Sequence, residues 1–332
     1  MIRNFCSFIF PLSLVLLGVQ NVWPQELEKR IEKVKSEGQV VWYTSMLADQ
    51  VQVFNKAFES KYPSIRADAY RASSEKVVQK IITEANAGRY AFDIVASSSF
   101  DNYLLQKKGL LGKYLSQERK FYRERDKDEE GYWTAMWFVT WVVGYNTNIV
   151  RSEEVPKSYS DLLIPQWQGK IGLDDQNYEW FATMLAAMGR EKGMAFMKRL
   201  SGQKLEFRSG HPVLTQMVVA GEIPLAFLYF HHVASEQAKK APIDWARIEP
   251  VIQAMSTIAV SSKAPHPESA RLFIDFGLSK EGQQVIRSFN REPARPDVSP
   301  IVQGLSIRAS HPKMAEDYDR YQREFKQAFS LP

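Results

Sequence analysis

Cysteine is nearly absent. The 332 residues contain one, Cys6, so no disulfide framework, no cysteine-ligated metal and no thiol nucleophile beyond that position can be built. Charge of one sign never accumulates either. Lys and Arg number 43 against 38 Asp and Glu, a formal net charge of +5, and the signs interleave, as in residues 26–35 and 118–130. No basic run tracks a phosphate backbone, which argues against nucleic-acid binding; the slight positive excess favours anionic small molecules. The longest apolar block, Phe5 to Val19, is shorter than the ~18 residues a membrane span needs. The G-x-S-x-G elbow, the P-loop, H-E-x-x-H and G-x-G-x-x-G are all missing, which removes the common signatures of hydrolases and nucleotide enzymes. Internal repeats and low-complexity tracts are absent too.

What is present begins with Arg3, the apolar block and a polar exit that is strongly charged by Glu26. This order reads as a secretory signal peptide over residues 1–25, cut between Gly18 and Glu26. Cys6 lies before the apolar block, whereas a lipid-bearing cysteine follows it. The mature chain is therefore expected to be exported and free of thiols.

From Gln39 onward short apolar strands alternate with amphipathic helices. Strands are expected at Gln39–Thr44, Ile65–Tyr70 and Phe92–Ala96, with helices at Leu47–Tyr62 and Lys76–Ala87 and a third through Lys107. Such alternation predicts a largely parallel sheet covered on both faces. The aromatic, β-branched stretch from Gly131 to Thr147 reads as extended chain crossing into a second lobe. A second set follows, with strands at Lys170–Leu173, Leu205–Phe207 and Ile223–Phe230. Its helices are expected at Glu179–Leu200, Pro212–Ala220 and His231–Lys239. Ile243–Pro250 and Ala254–Ser261 are expected to be extended, the latter returning to the first lobe. Helices at His266–Leu278 and Lys280–Phe289 precede further helix with proline-rich joints.

In open α/β sheets ligands sit beyond the carboxyl ends of strands, against helix N-termini. Three turns place small hydroxyl residues there: Thr44–Ser45, Ser73–Ser74 and Ser97–Ser98–Ser99, with Ser97 and Ser98 the favoured ligand contacts of the third. Each could equally cap its helix. Arg71 could add charge for an anion. Trp141 and Tyr145 alternate within the crossing stretch, where one ring could stack on a ligand and the rest pack the core. Asp175, after the Lys170 strand, serves a cation or amine, or a turn cap.

Several segments carry a resemblance. They are Val40–Ser45 (VVWYTS), Phe92–Val95 and Val143–Thr147, then Ser160–Leu162 with Pro165–Ile171, and Ala264–Phe276 with Leu278–Gln283. In this order they resemble family 1 extracellular solute-binding proteins, most closely the branch holding ferric-ion-binding receptors. The resemblance implies the type II periplasmic-binding fold: two α/β lobes, two crossing strands and a ligand cleft between. On that basis one lobe is expected from residues 26–134 plus 253–289, the other from 135–252 plus 290–332. It also implies a monomeric periplasmic receptor that hands a small ligand to the permease subunits of an ABC importer, with no catalysis and no cofactor. An exported α/β hydrolase is the alternative of another class. Where ferric-binding relatives carry paired tyrosines, this chain has Tyr229 and then His231–His232. Tyr229 and His231 are expected in the cleft. A small anion ranks first as ligand. Fe(III), held by Tyr229, His231 and His232, ranks second.

Overall fold

The computed structural model describes residues 32–332. The expected signal segment, with Cys6, lies outside them. Among the described residues no helix is long and apolar enough to cross a membrane.

The first parallel unit follows the hydrophobic pattern. β1 (Gln39–Thr44), β2 (Arg66–Arg71) and β3 (Ile94–Ser98) alternate with α1 (Ala48–Lys61), α2 (Ser74–Asn86) and α3 (Ser99–Lys107). β1 lies between β2 and β3, parallel to both. Asp93, wholly buried, locks this unit to the later chain. It accepts from the Val41 amide at 2.7 Å and the His266 amide at 2.7 Å, and lies 2.9 Å from His266 Nδ1.

β4 (Thr134–Asn146) leaves this unit as a 13-residue strand, and β9 (Val251–Val260) returns beside it, antiparallel. Between them lie β5 (Ile171–Asp174), β6 (Glu206–Arg208), β7 (Leu225–Tyr229) and β8 (Ile243–Ala246), with helices α4 (Tyr178–Met188), α5 (Arg190–Ser201), α6 (His211–Ala220) and α7 (Phe230–Ala238). The strand order is β2-β1-β3-β9-β4-β7-β5-β6. Two parallel units are thus joined through one antiparallel pair of long strands, which makes a curled sheet of two α/β lobes.

Each lobe has its own aromatic core. In the first, Phe273 packs 5.2 Å from Trp42 and 4.9 Å from Phe58, ring centre to ring centre, and Phe276 lies 5.3 Å from Phe54. Both residues come from α8 (Pro267–Leu278), so the lobe closes only when the chain returns. In the second, Trp180 lies 4.8 Å from Phe227, and Phe325 lies 5.7 Å from Phe181. Phe325 belongs to α10 (Tyr318–Phe329). Losing one such ring would cost about 3–5 kcal/mol.

Two local expectations change. The single helix expected from Glu179 to Leu200 is two helices, because Gly189 has φ of 80° and breaks the run. The chain after α9 (Lys280–Ser288) holds two short strands, β10 (Glu292–Pro293) on β4 and β11 (Ile307–Ala309) on β9.

Candidate functional site

A cleft of about 410 Å³ lies between the lobes at the carboxyl ends of β1, β2, β3 and β7. The crossing strands form its floor through Trp137, Val139, Trp141, Ala254 and Met255.

The first wall is basic and rich in hydroxyl groups. Ser45, Arg71, Ser73, Ser74 and Ser98 line it. Ser73 sits at the N-cap of α2 without using its side chain as a cap, so its hydroxyl is available. Arg71 Nε donates to the Met46 carbonyl at 3.1 Å. Ser98 accepts from the Phe100 amide at 3.2 Å and donates to Glu179 Oε2 at 3.3 Å.

Arg291 completes this wall. α9 ends at Ser288 with Phe289 as its C-cap, and Asn290 adopts a left-handed φ of 57°. Asn tolerates that conformation better than most residues. The turn delivers Arg291 to the face of β4 just before β10 pairs there. Arg291 is 4% exposed. Its Nε donates to Gln50 Oε1 at 2.7 Å, and its guanidinium lies 5.2 Å from the Trp137 ring centre. Among the described residues no carboxylate bridges it. Burial lowers its pKa to about 10; Tyr229 and Asp49 oppose the shift and Arg71 adds to it.

The opposite wall is aromatic and acidic. The Tyr229 ring lies 3.6 Å from His211, 5.5 Å from His231 and 5.8 Å from His232, and the two adjacent imidazoles are 4.3 Å apart. Burial holds these imidazoles neutral, with His211 and His232 each near 3 and His231 well below its ordinary value. Arg291 adds to the effect on His231 and His232. Burial raises the Tyr229 phenol well above 10, and Asp174 raises it further. Asp174 itself is pushed up to about 6 by burial, opposed by the Gln176 and Gly210 amides at 2.9 and 2.7 Å. Glu179 is pushed up to about 7 by burial, although it accepts from Ser98, Ser99 and Ser310. Neutral imidazoles and a neutral phenol, with Asp174 and Glu179 beside them, thus face a guanidinium that no carboxylate bridges among the described residues.

Residues 91–318 match the family model for bacterial extracellular solute-binding protein. The chain belongs to that family. Solute-binding proteins of this kind bind small ligands and deliver them to ABC transporter permeases. An uncharacterized protein of Haemophilus influenzae is 24% identical over 264 residues, which is 75% of each chain. The major ferric iron-binding protein of Neisseria meningitidis serogroup B is 26% identical over 180 residues. That match takes in 50% of this solute-binding protein and 54% of the relative, so the chain spans about half the length of that ferric-binding protein. Among solved structures, iron-bound HitA from Pseudomonas aeruginosa superposes with a TM-score of 0.78 at 20% identity, covering 87% of this chain and 99% of that one. AfuA from Actinobacillus pleuropneumoniae, with fructose-6-phosphate bound, gives 0.78 at 20% identity over 89% and 99%. These likenesses carry the two-lobed periplasmic-binding fold.

Of the residues expected from sequence, the cleft gathers Ser45, Arg71, Ser73, Ser74, Ser98, Trp141, Tyr229 and His231, and also His232. Thr44, Ser97, Tyr145 and Asp175 are not on its lining. Thr44 is wholly buried and ties β1 to β3, donating to the Ala96 carbonyl at 2.9 Å. Ser97 and Ser98 are neighbours on one strand and take opposite faces; Ser97 is wholly buried. Tyr145 sits four residues past Trp141, beside Leu225 and Asp244. Asp175 accepts from Ser209 at 2.6 Å, and its neighbour Asp174 takes the cleft position. Sequence reasoning missed Arg291, His211, Asn177 and Glu179. For Arg291 a signal existed: an Asn directly after a helix, followed by Arg-Glu-Pro, marks a left-handed stop and a change of direction.

Proposed function

We propose that this solute-binding protein captures a small organic anion, bearing phosphate or carboxylate, and releases it to the permease of an ABC importer. One observation carries the reading: Arg291 is buried at the cleft and among the described residues no carboxylate forms an ion pair with it, and burying an unpaired charge is costly. A ligand anion would supply the partner. Arg71 and the Ser45, Ser73, Ser74 and Ser98 hydroxyls surround the same space, and hydrogen bonds to an ionised group are the strong ones. Closure is a hinge motion about β4 and β9, with no bond made or broken. The chain acts as a periplasmic monomer after removal of its signal peptide.

Fe(III) is the second reading. The Tyr229, His231 and His232 rings lie together, and several relatives are named for ferric iron. A guanidinium beside those rings opposes a bare trivalent cation, so iron would require an accompanying anion.

Thermal-shift titration with inorganic phosphate, simple carboxylates and Fe(III) decides between them. A ligand at one hundred times its Kd adds ~2.7 kcal/mol of stability. The anion reading expects stabilisation by an anion alone, abolished in Arg291→Gln, and compaction in small-angle scattering without turnover. Stabilisation by Fe(III) alone, with a charge-transfer band lost in Tyr229→Phe, overturns it. Steady product release would favour an exported hydrolase.

A further inference from the structure

The C-terminal chain touches both lobes. Beyond β11, which pairs with β9, the Ser310 amide donates to the Gln253 carbonyl at 2.7 Å and the Ser310 hydroxyl to Glu179 Oε1 at 2.7 Å. A 3-10 turn follows at Pro312–Asp317, and α10 then buries Phe325 and Phe329 in the core of the second lobe. Both ends of this segment are thus fixed to the second lobe. Its middle lies on α3 of the first.

Ala315 is 2% exposed and joins a cluster with Phe100 and Tyr103 of α3, Ala182 of α4, and Tyr318 and Tyr321 of α10. Tyr103 donates its hydroxyl to the Glu316 carboxylate, and Lys107 Nζ lies 3.7 Å from the same group. Further along the same seam, Glu179 of the second lobe accepts from the Ser98 and Ser99 hydroxyls of the first at 3.3 and 3.5 Å. A hydrogen bond to an ionised group is stronger than a neutral one, whereas an exposed ion pair adds little. The Tyr103–Glu316 bond and the packing around Ala315 therefore hold the seam.

Its position decides what the seam does. Ser98 and Glu179 line the cleft, and with Phe100 and Tyr318 they also line a smaller recess that joins it. The crossing strands form the floor, so the seam stands on the open side of the hinge. A rotation about β4 and β9 that widens the cleft must draw α3 away from α4 and from the segment beside it, while the core of each lobe stays intact. We infer that residues 310–318 are a strap that clasps α3 to the second lobe and shifts the ligand-free protein toward its closed form. The inference rests on hinged closure and holds for whichever ligand fills the cleft. The strap biases the hinge without locking it, and a ligand moves the same balance further.

Small-angle scattering of the purified protein, with and without inorganic phosphate, tests it. Glu316→Lys removes the acceptor for Tyr103 and sets two ammonium groups side by side; Glu316 is exposed, so the variant folds. It should raise the open-to-closed ratio about tenfold, the worth of one hydrogen bond to a charged group, and enlarge the radius of gyration of the ligand-free protein. Exchanging the charges, Lys107→Glu with Glu316→Lys, should restore the parental radius. Ala315→Glu, which buries a charge in the cluster, should open the protein further; if it does not fold, the Glu316 variants carry the test. A strap that served stability alone would lower the unfolding midpoint and leave the radius unchanged. Variants that match the parent without phosphate, while the parent still compacts with it, overturn the strap and leave hinged closure standing. So does an expansion that the charge exchange fails to reverse. One radius for every protein under both conditions overturns the strap and hinged closure together.

Discussion

Replacing Arg291 by methionine separates a residue kept for binding from one kept for folding. Methionine preserves the length of the stem and its packing against Trp137 but removes the charge. Lowering a guanidinium from 12.5 to about 10 corresponds to about 3 kcal/mol against the charged form. The group is almost wholly buried, so solvent screens this little. Against that gain, Gln50 Oε1 loses its 2.7 Å donor, at about 1–2 kcal/mol. The unliganded variant should therefore be more stable than the parent by about 1–2 kcal/mol, or about 2–3 °C in Tm. Anion binding should fall below detection. Urea unfolding of the ligand-free proteins, paired with calorimetry, measures both. A destabilised variant would make Arg291 a structural residue, and unchanged anion affinity would remove it from the site; either result refutes the reasoning.

Glu179→Gln should change the pH dependence of stability. The folded carboxyl titrates near 7 against an ordinary 4.5, so its contribution is complete below pH 4.5 and lost as pH rises through 7. The variant should match the parent at pH 4.5 and exceed it by about 3 kcal/mol at pH 8 in urea unfolding; equal stability at both pH values would contradict the burial argument. Gln283→Leu should cost about 3 kcal/mol or more and weaken anion binding. Gln283 donates to the Met136 and Gly277 carbonyls and accepts from the Ala294 and Arg295 amides, which pins the segment carrying Arg291. Unaltered affinity in a folded variant would uncouple the two. Gly172→Ala should lose about 1–3 kcal/mol by overpacking, since a Cβ there meets Ile223 Cδ1 at 2.6 Å and Leu214 Cδ2 at 2.8 Å; a neutral result in thermal unfolding would mean that these side chains yield.

The order of strands and helices could be read from sequence because each parallel strand here is a short apolar run closed by turn chemistry. VVWYTS is the example: its first five residues lie in β1 and its sixth, Ser45, opens the cleft. The crossing stretch was legible for the same reason, being too long and too aromatic for anything but a strand buried on both faces. What sequence could not supply was side-chain direction at the ends of strands. Ser97 and Ser98 are indistinguishable on paper, and a single step of the pleat sends one into the core and the other into the cleft. Tyr145 was placed in the site by the same reasoning as Trp141, and its extra four residues carry it past. Arg291 was missed for a different reason: the turn before it could be read, but not where that turn leads. Its value as a site residue comes from Gln50, Trp137 and Tyr229, and none of these is near it in the chain.

The bond from Arg291 to Gln50 spans 241 residues, and that from His266 to Gln39 spans 227. Loops of this length close slowly, because the entropy of bringing the ends together is lost before the contacts form. The first lobe therefore cannot mature in the order in which its residues are made. β1, β2 and β3 must wait, unsealed, for Phe273 and Phe276. The consequence is temporal: a newly made chain has a long interval in which it has helices and strands but no affinity. Binding competence then arrives in one late step, when the returning chain seats Arg291 over Trp137.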